Sequence, residues 1–374
     1  MGYVAVKGGT KAIEESIKRL KYKRLKGGEI LKVNEIQSGM RGLIDQIMSE
    51  SSLYSEELAA LAIKQSEGNS EEAVFLLRAY RSTLPRKHYT RTVESIHMSV
   101  ERRISASFKD VLGGQILGAA YDYTHRLMDF ELADESKEEA LSWLRKFQSD
   151  AAQQESENGL RNLPKVMDFL REEGLIRAYE KDDKDPIDIT KKSIEFPTER
   201  SERLQILTRG QTGAVVSLGY AALRGYGSLH PTVGELRVGN LSLYISDPLE
   251  DTCEEEDDFY IGDIEVTEVE MFIPKTVDGK KGEKSLEFGI GYGICYGQNE
   301  TKAMAMAILD QCLETKDEKY PTHNEEFVLM HIDSVESSGF MSHLKLPHYV
   351  TFQSKLDSVR KTRKGKGAMN EDKL

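Results

Sequence analysis

Cysteine, tryptophan and proline are scarce in this chain of 374 residues, which contains 3 Cys, 1 Trp and 9 Pro. The cysteines, Cys253, Cys295 and Cys312, are far apart and form no Cys-x-x-Cys pair. Their number and spacing argue against a disulfide framework, a zinc knuckle and a cysteine-held iron–sulfur cluster, and they indicate a reducing compartment. Few prolines and 30 glycines argue against collagen-like and low-complexity classes.

Long apolar runs are also missing, since the longest, Gly213–Leu223, is too short to span a bilayer. The N-terminus, Met1–Lys7, has no apolar core of a signal peptide. Lys and Arg number 51 against 63 acids, and the net charge of −12 disfavours general nucleic-acid binding, although local basic patches can hold phosphate. The length predicts two or three domains, and the composition predicts a soluble cytoplasmic protein with no membrane or nucleic-acid partner.

The order of the periodic segments predicts an α+β fold, in which a helix-rich N-terminal half is followed by a mixed sheet with packed helices. Residues 1–180 form the helix-rich region and 181–200 a linker or long loop. Residues 201–354 form an α+β region, and 355–374 a basic, disordered tail. Caps and periodicity predict helices over Lys11–Leu25, Val33–Met48, Glu56–Glu67, Glu71–Leu84, Glu138–Phe147, Pro164–Gly174, Ser201–Thr208 and Gly213–Leu223.

Strands are predicted over Tyr3–Val6, Leu236–Ile245 and Tyr260–Ile273. The segment Phe288–Tyr296 alternates Gly with Ile and Tyr but lacks dinucleotide-loop and P-loop spacing, which favours a strand with a close backbone approach. The next segment, Thr301–Leu313, is apolar almost all round, which predicts a buried helix. The run 247–258 has eight acids and no base, and we interpret it as a solvated loop because adjacent acids repel each other.

Two groups of polar residues are suited to anion binding or proton transfer. The loop Arg224–His230 offers backbone N–H groups, a guanidinium and an imidazole, with Glu235 and Arg237 on the next strand. This set suits a phosphate or phosphonate oxyanion, but a glycine turn whose Arg224 pairs with Glu235 explains it as well. The cluster Asp122, His125 and Arg126 suits an acid–base dyad and equally a hydrogen-bonded core network.

His343 and His348 are five residues apart with Pro347 between them, so they would not face each other on a helix. In a turn, the two imidazoles can converge on one metal ion, although two ligands are fewer than the usual three or four for zinc. Structural histidines remain the alternative. No Gly-x-Ser-x-Gly elbow occurs, which disfavours nucleophilic hydrolase chemistry.

Several unusual strings occur in one order along the chain, from about Tyr3 to about Leu356. Together they resemble the I-subunit family of the bacterial carbon–phosphorus lyase core complex, which works in phosphonate breakdown. The strings are Tyr3–Gly9, Glu101–Ala106, Tyr121–Leu127, Arg224–Gly227, Lys302–Ala307 and Ser342–Tyr349.

The resemblance implies a transferase of a hetero-oligomer. With the G and H subunits and the ATP-binding-cassette-type L (and K) subunits, it would install an alkylphosphonate on the anomeric carbon of ATP and displace adenine. The product is ribose 1-phosphonate 5-triphosphate, and the subunit alone would act as a purine nucleosidase. The J subunit, a radical enzyme, later breaks the C–P bond. The rival interpretation is a non-catalytic scaffold that contributes a metal site to the radical subunit. A third, a stand-alone nucleoside hydrolase, leaves the partner surfaces unexplained.

The implied reaction needs anion donors, a proton donor for the purine and a group that orients it. We assign oxyanion binding to Arg224 with Gly225, Tyr226 and Gly227, and to Arg126 as second choice. We assign proton transfer to His125 or His230. Asp122 or Glu235 would orient the proton donor or counter the positive charge that develops on the sugar. The resemblance further implies that His343 and His348 are metal ligands at the contact with the J subunit, with zinc as the metal, and that magnesium accompanies ATP.

Overall fold

The computed structural model describes residues 8–154, 163–176, 178, 184–226, 231–247, 258–278, 284–317 and 319–371. Its sheet has four antiparallel strands in the order β1–β2–β3–β4. The α+β prediction is therefore confirmed, but the sheet is antiparallel and not mixed. The five residues between β3 and β4 are too few for a parallel crossover. The strands are β1 (Ser99–Ile104), β2 (Thr232–Ile245), β3 (Phe259–Asp278) and β4 (Lys284–Tyr296).

The N-terminal region of the chain is helical, as its caps predict. The Ser55 hydroxyl accepts from the Leu58 N–H at the start of α4, and the Asn69 side chain accepts from the Glu72 N–H at the start of α5. The single helix predicted over Val33–Met48 is wrong, because the chain breaks at Met40 into α2 and α3. The helices are α1 (Gly9–Leu25), α2 (Val33–Gly39), α3 (Arg41–Ser51), α4 (Glu56–Gln65) and α5 (Ser70–Ser82).

The later helices flank and follow the sheet. Those between β1 and β2 agree with the predicted helices to within a few residues at most ends, whereas α11, α12 and α13 were not predicted. They are α6 (Lys137–Gln154), α7 (Val166–Glu172), α8 (Arg200–Arg209), α9 (Thr212–Ala221), α10 (Glu300–Thr315), α11 (Glu325–His331), α12 (Ser334–His343) and α13 (Tyr349–Glu371).

One face of the sheet packs on α10. Leu236, Val269 and Cys295 from the strands contact a helix whose middle is buried on nearly every side, as predicted. A Cβ at Gly291 would lie 1.9 Å from the Ala307 carbonyl oxygen, and one at Gly293 would lie 2.0 Å from that of Ala303. The glycines of β4 therefore allow the helix to approach the strand backbone, which confirms the close approach predicted there.

A second core lies among α2–α5, where Ile36, Ile47 and Val74 are fully buried. Tyr296 at the end of β4 packs against this core and also against a smaller cluster beside β1. β1 comes from the predicted helix-rich region, residues 1–180, but it pairs with β2 of the region 201–354. The sheet therefore crosses the predicted division of the chain.

The C-terminal segment differs from the disordered tail predicted over 355–374, because α13 continues to Glu371. Its first two-thirds contain neither Pro nor Gly and include Lys and Arg, which are good helix formers. The predicted strand Tyr3–Val6 and most of the acidic run 247–258 lie outside the described residues. In the described portion of the chain, none of the helices has the length and apolarity needed to span a bilayer.

Candidate functional site

The face of the sheet opposite α10 carries charged side chains that are nevertheless buried. Arg103 of β1 pairs with Glu235 of β2 at 2.7 Å, and Arg237 pairs with Glu268 of β3 at 2.5 Å. Lys165, just before α7, reaches Glu268 at 3.0 Å. Burial opposes the ionisation of Glu268, but the charges of Arg237 and Lys165 outweigh it and lower the pKa of this carboxyl to about 2.

Glu235, predicted as a substrate-facing carboxylate, belongs to this charged face. It is 3% exposed, and its second oxygen accepts from the Val166 backbone N–H at 2.8 Å. Burial raises the pKa of Glu235, against the opposing charges of Arg237 and Arg103. The partner that the structure gives Glu235 is Arg103, and not the Arg224 of the glycine-turn interpretation.

Asp122, His125 and Arg126 lie on an exposed segment, so they do not form the core network that was the alternative for this cluster. Arg102 of β1 anchors the segment: its Nη2 donates to Asp122 Oδ2 at 2.5 Å, and its Nε lies 2.9 Å from Glu300 Oε1 at the start of α10. Asp122 Oδ1 is 3.8 Å from Arg126 Nη2. Because successive strand residues point to opposite faces, Arg102 and Arg103 hold Asp122 and Glu235 on opposite sides of the sheet.

A half-buried carboxyl near this segment has no counterpart among the predicted site residues. Burial and the neighbouring Asp45 and Glu101 carboxylates raise the pKa of Glu265, on β3, to about 7. Asp45 accepts from the Gln298 backbone N–H at 3.1 Å, and the Gln298 side chain donates to Glu300 at 2.7 Å. A carboxyl with this pKa can donate a proton at neutral pH. No local pattern could have indicated it, because the acids that raise its pKa lie far away along the chain.

The described portion of the predicted Gly-rich loop belongs to a wide, π-type helical turn, Ala222–Tyr226, which follows α9 and is kinked at Gly225. Gly225 has φ of +115°, a conformation that favours glycine. The Arg224 side chain is exposed, with its Cζ 6.0 Å from the centre of the Tyr220 ring. Gly227 and His230 lie outside the described residues. The turn therefore presents one guanidinium at the surface beside an aromatic ring.

His343 and His348 are brought together where α12 ends and α13 begins. Their ring centres are 5.4 Å apart and the ring planes are perpendicular. Nδ1 of His343 contacts the carbonyl oxygen of Phe340. In the tautomer with the proton on Nδ1, this contact is a hydrogen bond and Nε2 has a free lone pair. This is the tautomer arrangement common to metal-ligating histidines. Both side chains are exposed, and imidazole nitrogens are among the groups that ligate zinc.

No group of three or more His, Cys, Asp or Glu suited to a metal ion occurs among the residues that the structure describes. A groove of about 520 Å³ adjoins the histidine pair, between α5 and α12. Its lining mixes polar and apolar surface with one exposed aromatic ring, and comprises Asn69, Glu71, Glu72, Phe75, Gln211, Val335, Ser338, Gly339 and Ser342. The groove is in the size range of small-ligand sites.

Comparison with known proteins gives a family match and three similar chains. Residues 2–366 match the family model described as "Bacterial phosphonate metabolism protein (PhnI)". The chain is 41% identical over 368 residues to the "Putative C-P lyase subunit protein HtxH" of Stutzerimonas stutzeri, covering 97% of this chain and 96% of the relative. Two relatives carry the name "Alpha-D-ribose 1-methylphosphonate 5-triphosphate synthase subunit PhnI". The one from Rhizobium meliloti (strain 1021) is 41% identical over 375 residues (97% and 95% covered), and the one from Escherichia coli (strain K12) is 40% identical over 367 residues (96% and 98%).

Proposed function

The chain belongs to the PhnI family of bacterial phosphonate metabolism proteins, and from this we propose that it is a subunit of a transferase that displaces adenine from ATP with an alkylphosphonate. The product is ribose 1-phosphonate 5-triphosphate. The observation that carries the proposal is the 40–41% identity, along nearly the whole chain, to two relatives named as subunits of that synthase. Without partners, water replaces the phosphonate and the chain acts as a purine nucleosidase.

The proposed partners are the G, H and J subunits of the carbon–phosphorus lyase core complex and the ATP-binding-cassette-type L and K subunits, in the cytoplasm. Large apolar side chains that the isolated chain leaves in water support assembly with other proteins. Ile13, Ile17 and Leu20 of α1 are 50–62% exposed, and Leu127, Met128 and Phe130 are 76–83% exposed. These side chains occur in two separate stretches, which favours more than one partner surface.

The groove beside the histidine pair supports a nucleotide substrate. Glu71 and Glu72 offer carboxylate oxygens that can accept from ribose hydroxyls, and the Phe75 ring is about half exposed, so a purine can stack on it. The Gln211 side chain donates to Glu71 at 2.7 Å and holds that carboxylate in place. The groove ends at Ser342, the residue before His343.

In the proposed reaction a phosphonate oxygen attacks C1′, the C1′–N9 bond breaks, and adenine leaves with the electron pair and takes up a proton. Arg224 and the backbone of Gly225–Gly227 hold oxyanions, with Arg126 as second choice. His125 or His230 donates the proton, and Asp122 orients it in preference to Glu235, because the Asp122 side chain is 52% exposed and that of Glu235 only 2%. Glu265, with its pKa of about 7, is a third candidate donor.

His343 and His348 would supply two ligands of a zinc ion, and a partner subunit and the substrate would complete its coordination. Zinc bound there supplies a Lewis acid that polarises a phosphoryl oxygen. Magnesium would accompany ATP, held chiefly by the phosphates. The second candidate function, a non-catalytic scaffold of the core complex, is favoured by the position of this pair on an exposed surface beside Phe340, which is 70% exposed.

The synthase proposal is tested by chromatography of the products from the full chain, its G, H and L partners, ATP and methylphosphonate. We expect adenine and ribose 1-phosphonate 5-triphosphate in equal amounts. An assembled complex that releases no adenine would contradict the transferase and favour the scaffold. Arg224→Ala should lower the rate at least about tenfold through the lost charge-assisted hydrogen bonds, whereas Arg360→Ala, on exposed α13, should not. Full activity of the Arg224 variant would refute the loop assignment.

The zinc proposal is tested by metal analysis of the purified complex. Changing both His343 and His348 to Ala should remove about one zinc equivalent for each copy of the chain. His331→Ala is a matched control, because its Nδ1 contacts the Phe327 carbonyl at 2.7 Å and its ring lies 4.9 Å from Phe327, as that of His343 does from Phe340. Unchanged zinc content in the double variant would rule out this site.

A further inference from the structure

Four arginines converge where the end of α5, the end of α8 and the segment after α5 meet. Arg78 and Arg81 lie one turn apart on α5, so they project from the same side of the helix. Arg209 is the last residue of α8, and its carbonyl oxygen accepts from Arg78 Nη2 at 2.9 Å. Arg86 follows α5 closely in sequence.

Arg78 has a structural role, because most of its guanidinium donors bind groups of three other helices. Nη1 lies 2.5 Å from Asp333 Oδ2 at the start of α12, and Nε and Nη2 donate to the Glu50 carbonyl at 3.0 and 2.8 Å. It therefore ties α5 to α3, α8 and α12. Its charge is balanced by Asp333, and four of its five N–H donors are already used within the chain.

The other three arginines are less fully paired. Arg86 lies 3.3 Å from Asp188 Oδ2, and Arg209 Nη1 donates to the Ser52 hydroxyl at 3.2 Å. The buried Nε of Arg81 meets no hydrogen-bond acceptor from the described part of the chain. Within the described ranges, no carboxylate oxygen comes within 4.0 Å of a guanidinium nitrogen of Arg81 or Arg209. Of these three guanidiniums, only that of Arg86 has a carboxylate at ion-pair distance among the described residues.

The uncompensated charge is visible in the pKa values of these groups. Burial together with the charges of Arg78 and Arg81 lowers the pKa of Arg209 to about 10, even though Asp333 and Asp188 oppose the change. Burial and the charge of Arg86 likewise lower the pKa of Arg81. In a chain of net charge −12, such mutual repulsion among half-buried cations is costly unless an anion joins them.

We propose that Arg81, Arg86 and Arg209 form a binding site for a polyphosphate chain, such as the triphosphate tail of a nucleotide. Each guanidinium can bind two phosphate oxygens through parallel N–H donors, and three guanidiniums on two elements suit several linked phosphates better than one. Lys191 adds a cation, since its Nζ donates to the Tyr89 hydroxyl at 2.7 Å and Arg86 Cζ lies 5.4 Å from that ring. The identification of the polyphosphate as part of a nucleotide rests on the proposed function, whereas the anion site itself does not.

The test uses inorganic tripolyphosphate with the full chain, and measures the melting temperature and the dissociation constant. Tripolyphosphate should raise the melting temperature of the wild type and bind at least about tenfold more tightly than orthophosphate. In Arg81→Gln/Arg86→Gln the affinity should fall at least about tenfold, whereas Arg360→Gln on α13 should match the wild type. Without anion, the double variant should melt no lower than the wild type, because a repulsive contact is removed.

Equal affinity of the wild type and the double variant, or no binding to the wild type, would overturn the proposal. So would equal affinity for orthophosphate and tripolyphosphate, which would indicate a site for one phosphate. If the double variant does not fold, the single variant Arg86→Gln replaces it in the test, because the Arg86 side chain is 38% exposed. The same loss of affinity is expected. The measurement needs neither partner subunits nor turnover, so a failed synthase assay leaves it intact.

Discussion

Glu268, on the charged face of the sheet, should contribute strongly to the stability of the folded chain. Its pKa of about 2, against an ordinary 4.5, means that the folded chain favours the ionised form through Arg237 and Lys165. A difference of about 2.5 between the two values corresponds to about 3 kcal/mol of stability. Removing the charge in Glu268→Gln also leaves two buried cations without their partner, a change that typically costs about 3–5 kcal/mol.

The sign of the pH dependence follows from the lowered pKa. The stabilisation is complete above pH 4.5 and is lost as the pH falls toward about 2, where the folded carboxyl takes up its proton. At pH 3.5 about 1 kcal/mol of this stabilisation should already be lost. The cost of Glu268→Gln should therefore be about 3 kcal/mol at pH 7 and clearly smaller at pH 3.5.

Urea unfolding followed by circular dichroism at the two pH values measures this cost. Glu287→Gln is the matched control, because Glu287 lies on β4 in an exposed position, and its variant should unfold as the wild type does. A cost for Glu268→Gln below about 1 kcal/mol at pH 7, or one equally large at pH 3.5, would refute the reasoning.

Two further predictions concern β4 and the carboxyl near Asp45. Gly293→Ala should destabilise the chain by about 3 kcal/mol, because the new Cβ would lie 2.0 Å from the Ala303 carbonyl oxygen. As a control, Gly339→Ala on α12 should stabilise the chain by about 0.5 kcal/mol, because its Cβ would meet open space. Equal melting temperatures of the two variants would contradict the close packing of α10 on β4. Glu265→Gln should raise the stability of the chain by about 1 kcal/mol at pH 8 and leave it unchanged at pH 4. Burial and two neighbouring acids raise the pKa of Glu265 to about 7. Because this pKa is raised, the folded chain loses stability as the pH rises from 4.5 to 7. Thermal melts at the two pH values measure this, and a lower stability of the variant at pH 8 would contradict it.

Sequence patterns over a few neighbouring residues predicted those helices and strands whose packing depends on those same residues. The glycines of β4 and the apolar α10 are examples, since periodicity and residue size suffice to predict their packing. β1 was missed because Glu101, Arg102 and Arg103 resemble a solvated segment in sequence. Arg103 is buried only because Glu235, 132 residues away, and the Leu112 and Pro164 carbonyls receive its donors.

Dependence on distant residues also explains why the predicted site differs from the observed arrangement. The pair His343 and His348 was recognisable because both residues lie in one short turn. The arginine site joins α5 to α8, and the raised pKa of Glu265 depends on Asp45 of α3, so neither is a pattern of neighbouring residues. Asp122 and Glu235 both looked like carboxylates of a reaction centre. The alternation of β1 places them on opposite faces of the sheet.

The buried ion pairs between the strands also restrict how this chain can change over generations. Replacing Arg237 by an apolar residue leaves the charge of Glu268 unpaired on that side, and replacing Glu268 leaves Arg237 and Lys165 without their carboxylate. Each single substitution therefore gives a destabilised protein. A joint replacement of the group by apolar side chains of similar volume can be neutral. These positions are therefore coupled in their evolution, and their amino acids should be exchanged together or not at all.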